Sequence, residues 1–199
     1  MGNFLDKHFG RLGNRCFQSF YIYAQMREGK IPDIFLQDYK YFDKYINEFR
    51  GMIGEIPYIN NIGVHIRLGK NPSNPDEPAY SENPFYTNLT RTDYYEKAMS
   101  MFPREEFLIF SDDIKWCQEN LEGNNLSFSD GTEEQDFMAM LGCKSLIIAN
   151  SSFSHICAIL NPNPNKQIIA PIETKYYSDN IVRSKFPKDF IQIDFKKNA

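Results

Sequence analysis

Three short runs dominate the chain: "IGVHI" at 62–66, "FLIFS" at 107–111 and "SLIIA" at 145–149. Each is apolar at nearly every position, and each is followed by a loop or by a stretch with helical spacing. Strands of this kind need cover on both sides, so their alternation with helices predicts an α/β fold, a Rossmann-like parallel sheet with helices on its faces. "LSFSD" at 126–130 and "KQIIAP" at 166–171 supply further short strands. The intervening helices are marked by Ile114, Cys117 and Leu121, by Phe137, Met140 and Leu141, and by Phe153, Ile156, Cys157 and Leu160. Thr132 with Gln135 forms a capping-box pattern at the start of the second of these.

Before residue 62 the texture differs. Leu12, Phe17, Tyr21 and Ala24 fall mostly at helical spacing, with Gly13 and Asn14 at the start and Gly29 near the end. "DIFLQ" at 33–37 reads as a short strand, and "KYFDKYINEFRGMI" at 40–53 as an amphipathic helix closed by Gly54 and Pro57. This is too little chain for a full Rossmann domain. The expected organisation is a reduced N-terminal lobe over 1–61 and a Rossmann-like domain over 62–199, with one compact unit as the alternative. At 199 residues, 42% hydrophobic and 15% aromatic, the chain can bury a real core in either arrangement. From Lys70 to Thr90, Pro72, Pro75, Pro78 and Pro84 interrupt any regular element, which marks a lid, a binding loop or a disordered stretch.

A formal net charge of −4, with no run of Lys or Arg, argues against a nucleic-acid binder. "MGNFLDKHFGRLGNRCFQ" lacks the charged and apolar regions of a signal peptide, and no apolar stretch approaches 18 residues. A protein of the cytoplasm with no transmembrane segment is expected. Cys16, Cys117, Cys143 and Cys157 show no CxxC spacing and lie beside apolar residues, as reduced buried thiols do. The sequons at Asn88 and Asn150 carry weight only in a secreted chain.

In open parallel sheets, ligands bind beyond the carboxyl ends of the strands. His65 and Arg67 end the first strand, Ser111, Asp112 and Asp113 the second, and Asn150, Ser151 and Ser152 the third. Singly, each has an ordinary explanation. A serine caps a helix, a histidine fills a core, and paired acids complement a helix dipole or hold a metal ion. Jointly, hydroxyls and backbone N–H groups at a helix start, beside an Arg that can clamp two oxygens, suit a diphosphate.

"GRLGNRCFQ" at 10–18, "VHIRLG" at 64–69, "FSDDIKW" at 110–116 and "NSSFS" at 150–154 resemble, in order, the motifs of the family 11 α-1,2-fucosyltransferases, from about residue 10 to about 171. The resemblance implies a GT-B type architecture, inverting transfer of fucose from GDP-fucose or another GDP-sugar to a glycan hydroxyl, and no metal ion or further cofactor. It implies that Arg67 holds the donor β-phosphate with His65 beside it, and that Gly13 and Asn14 face the diphosphate from the first lobe. Asp136 would accept hydrogen bonds from the guanine or its ribose, and Ser151, Ser152 and Ser154 would surround the phosphates, with Asp112 at the neighbouring strand end. Leu68 and Lys70 stand where the family motif has a second Arg and an Asp. Lys70 favours a pyrophosphate but is a poor base near neutral pH. The catalytic candidates are therefore Arg67 for the leaving group and Asp76, Glu77 or Glu82 as base. A nucleotide- or glycan-binding module that has lost its base is the alternative.

Overall fold

The computed structural model describes residues 12–28, 37–69, 87–173 and 184–197. Among these, α1 spans Leu12–Arg27, α2 Ile46–Ile53, α3 Tyr94–Ser100, α4 Ile114–Asn120, α5 Glu133–Gly142 and α6 Ser152–Leu160. The strands are β1 Gln37–Asp38, β2 Ile59–Ile66, β3 Phe107–Ser111, β4 Leu126–Phe128, β5 Cys143–Ile147, β6 Ile168–Pro171, β7 Ser184–Lys185 and β8 Ile191–Ile193. β1 and β7 pair as a small parallel ribbon, and the other six strands form one sheet in the order β4-β3-β2-β5-β6-β8, with every pair parallel. Counted along the chain within that sheet, the order is 3-2-1-4-5-6, the doubly wound Rossmann-like arrangement.

Side-chain alternation explains why the runs are apolar throughout. Leu146, Ile148, Ile168 and Ala170 enter one core with residues of α1, α5 and α6, while Ile147, Ala149 and Ile169 enter the other with residues of α3 and α4. Thr132 and Gln135 make the reciprocal capping box. All four cysteines are buried, free thiols, and burial pushes Cys16 and Cys143 up to about 12.

One expectation is corrected. The amphipathic helix predicted over 40–53 is α-helical only from Ile46; before it stand two single 3-10 turns, Tyr39–Tyr41 and Asp43–Tyr45, broken at Phe42, which at φ −135° sets its buried ring against Phe17, Phe20 and Phe49. Gly13 and Asn14 lie in the first turn of α1, at the start of the helix as predicted. The strand predicted at 33–37 meets the described residues only at Gln37, and residues 70–86 of the Pro-rich loop lie outside them.

The N-terminal segment packs along the whole of α6. Leu12, Phe17 and Ala24 of α1 and Phe49 of α2 share one core with Ile156 and Leu160. At the far end of α6 the Arg50 guanidinium donates to the carbonyls of Leu160 (2.9 Å), Asn161 (2.9 Å) and Ile159 (3.3 Å), closing the carbonyls a helix terminus leaves open. The expected boundary at 61/62 falls inside β2. Among the described residues no helix is long and apolar enough to cross a membrane.

Candidate active site at the strand ends

The carboxyl ends of β3, β2 and β5 are adjacent in the sheet. Ile66 is level with Ser111, and Val64 with Ile147. The first three predicted clusters thus share one face, at the point where the strand order reverses. Arg67 and Asp112 form an ion pair there, Nη1 to Oδ2 at 2.6 Å, with both side chains 8% exposed. The same carboxylate accepts the N–H groups of Leu68 and Gly69, each at 2.8 Å. Asp112, expected to contact the donor, is therefore held by the chain's own groups. Leu68 is buried in the apolar core, and this environment suits leucine as it would not suit a second arginine. His65 is buried, with its ring 5.5 Å from that of Phe153, and its carbonyl accepts the Tyr95 hydroxyl at 2.9 Å.

The run after β5 divides its labour. Asn150, 2% exposed, donates from Nδ2 to the Thr87 carbonyl at 2.6 Å. Ser151 is the N-cap of α6, its hydroxyl accepting from the Phe153 N–H at 3.4 Å. Ser152 opens the helix, half-buried. Ser154 is fully buried, its hydroxyl bonded to the main chain of Ala149 and Ser151, so it braces the strand-to-helix turn from inside.

Gly13 supplies closeness. A Cβ there would stand 2.3 Å from the Phe153 nitrogen and 2.5 Å from the Ser152 carbonyl carbon, so the first turn of α1 lies directly against the first turn of α6. The Leu12 N–H donates to Glu133 of α5 at 3.3 Å. The positive ends of α1 and α6 and the acidic first turn of α5 therefore meet beside β5. The side chain of Asn14 and all of Lys70, Asp76, Glu77 and Glu82 lie outside the described residues. Both flanks of the 70–86 stretch are nevertheless fixed at this face, Gly69 by Asp112 and Thr87 by Asn150.

Asp136 sits on α5, which begins beyond the end of β4 two strands from Arg67, and it accepts a short hydrogen bond from the Ser129 hydroxyl. Burial pushes its carboxyl above the ordinary range, against the opposing effect of that bond. An acid whose folded pKa is raised contributes stability that is complete below its unfolded value and lost as pH rises through the folded one. Asp136→Asn is therefore expected to raise Tm at pH 7, with the gain closing as pH falls to about 3; a gain that grew on acidification would contradict this.

Tyr95, which holds His65, and Glu133, which meets α1, carry no sequence signal of their role. Their partners are 30 and 121 residues away in the chain. A cavity of about 480 Å³ lined in part by Tyr58, Lys144, Asn161 and Asn163 lies at the opposite end of the sheet, away from these groups.

The strand order, with polar groups gathered where it reverses, defines a Rossmann-like α/β domain. More narrowly, the chain belongs to glycosyl transferase family 11, whose model matches residues 5–193. It is similar to the Escherichia coli O-antigen biosynthesis glycosyltransferase WbnK, 28% identical over 130 residues, covering 61% of this chain and 40% of the relative. It is also similar to an Escherichia coli alpha-1,2-colitosyltransferase, 35% identical over 101 residues, covering 48% of this chain and 34% of the relative. The alignments thus span less than half of either relative's length. No solved structure matches the chain significantly.

Proposed function

We propose that the chain is the nucleotide-sugar-binding part of an inverting glycosyltransferase that moves fucose, or a related sugar such as the colitose named for one relative, from a GDP-sugar to a glycan hydroxyl. The observation that carries this reading is the placement of Arg67 and the α6 N-terminus at one strand-end face in a family 11 chain. In the reaction the acceptor oxygen attacks the anomeric carbon, the bond from that carbon to the diphosphate breaks, and the acceptor proton passes to a carboxylate. Arg67 and the α6 N-terminus stabilise the charge on the departing GDP. The base candidates are Asp76, Glu77 and Glu82, in a stretch whose flanks Asp112 and Asn150 hold at this face. In this reading Asp136 accepts hydrogen bonds from the guanine or its ribose.

The test is calorimetry with GDP, UDP, CMP and ADP, followed by transfer from GDP-fucose and GDP-colitose to glycan acceptors with and without EDTA. We expect selective GDP binding and EDTA-insensitive transfer, since Arg and main-chain donors rather than a divalent ion would meet the diphosphate. Preference for another nucleotide, or activity lost to EDTA and restored by Mn²⁺, would overturn the corresponding part. Lys70 in the place of an acid favours a second reading, a binding module without a base. GDP binding with no turnover toward either donor would favour that module.

A further inference from the structure

Consecutive main-chain N–H groups that converge on one point make an anion receptor, provided the backbone turns the second onto the same target as the first. Directly after the second of these N–H groups the chain turns away through Gly69, whose φ of +91° lies in the left-handed region where glycine is unstrained. The N–H groups of Leu68 and Gly69 reach one carboxylate at 2.8 Å each, and Arg67 Nη1 reaches it at 2.6 Å. Among the described residues three donors thus line one concavity of a kind that suits a carboxylate or a phosphate. Its occupant is internal, a side chain from the neighbouring strand end, itself 8% exposed.

We infer that Asp112 is a positioning residue, an internal anion that fills the receptor at the end of β2 and so fixes the orientation of the Arg67 guanidinium and the exit of the chain from Gly69. The neighbouring acid does different work. The Asp113 carboxylate caps α4, accepting from the Trp116 N–H at 3.2 Å, so the two adjacent acids are not interchangeable. Asp112 carries the same sign of charge as a diphosphate and does not attract it. It acts through Arg67, holding one edge of the guanidinium so that the group has one orientation at the strand-end face. The effect on nucleotide affinity rests on reading that face as the GDP-sugar site, whereas the receptor stands on geometry alone.

Removal of the side chain leaves a carboxylate-sized vacancy lined by the same donors, which a small carboxylate can refill. Asp112→Ala is expected to lower Tm by on the order of 10 °C, as unpairing a buried Arg does. About 100 mM formate should restore at least half of that loss, while chloride at equal ionic strength does not and the wild type shows no formate effect. GDP affinity should fall at least tenfold in Asp112→Ala and recover with formate. Asp112→Asn keeps the shape but turns an amide N–H toward donors, so it should lose GDP affinity to a similar extent with no formate response. If Asp112→Ala is too unstable to purify, Asp112→Asn carries the test of positioning, and unchanged GDP affinity there overturns it. A Tm of Asp112→Ala that formate and chloride move equally overturns the receptor. Should the wild type bind no GDP, the donor reading fails, and the formate-specific shift still decides the receptor.

Discussion

Arg67→Ala is expected to lose both stability and GDP binding. The guanidinium pairs with a buried carboxylate, and leaving such a charge without its partner costs about 3–5 kcal/mol, or roughly 6–20 °C in Tm for a chain of this size. A charge-assisted contact to phosphate is worth about 1.5–3 kcal/mol, so GDP affinity should fall roughly tenfold to more than a hundredfold. The two losses separate in the double variant Arg67→Met with Asp112→Asn, which removes both charges and keeps an amide oxygen as an acceptor for the Leu68 or Gly69 N–H. This variant should regain part of the Tm but none of the GDP affinity. Unchanged affinity in a folded Arg67→Ala protein would remove Arg67 from the site. A double variant less stable than Arg67→Ala would mean that the buried pair is not the origin of the stability loss.

The second large effect is expected at Gly13. The three atoms nearest a Cβ there are all backbone of the first turn of α6, at 2.3–2.5 Å, and backbone cannot rotate aside as a side-chain tip can. Gly13→Ala must push α1 away from α6 and open the core that holds Leu12, Cys16 and Phe17. We expect a loss of about 3 kcal/mol or more, seen as a fall in Tm of roughly 6–12 °C. Gly51 in α2 is the control, since nothing lies within 4 Å of its added Cβ. Alanine there should be neutral or stabilising by up to about 1 kcal/mol. Equal melting temperatures for Gly13→Ala and wild type would refute the close contact.

The contrast between these two glycines marks what a sequence can convey. The sheet was legible because strand and helix periods are local, so "IGVHI", "FLIFS" and "SLIIA" declare themselves, and so does the capping box of Thr132 and Gln135. The helix Tyr94–Ser100 was not anticipated, because it is short and buries only two adjacent tyrosines and Ala98. Tyr94 is fully buried, with a hydroxyl that finds the carbonyls of Ile148 (2.6 Å) and Ile169 (3.2 Å) only through the tertiary fold. β8 was missed because "IQI" shows too little pattern at three residues. At the strand ends, residue types suggested which groups would gather, but not their pairing. Nothing local distinguishes Asp112, bonded across 45 residues to Arg67, from Asp113, which caps its own helix. Gly13 was expected to face the diphosphate, and its close contact with α6, some 140 residues later, is visible only in the fold.

That separation also has a meaning in time. Translation at about 5–20 residues per second places roughly 7–28 s between the synthesis of α1 and that of α6. Throughout this interval Phe17 and Ala24, both buried in the finished core, have no α6 to lie against. Leu12–Arg27 is therefore made well before the helix it packs on, and its apolar face must be kept from other chains until α6 has been made.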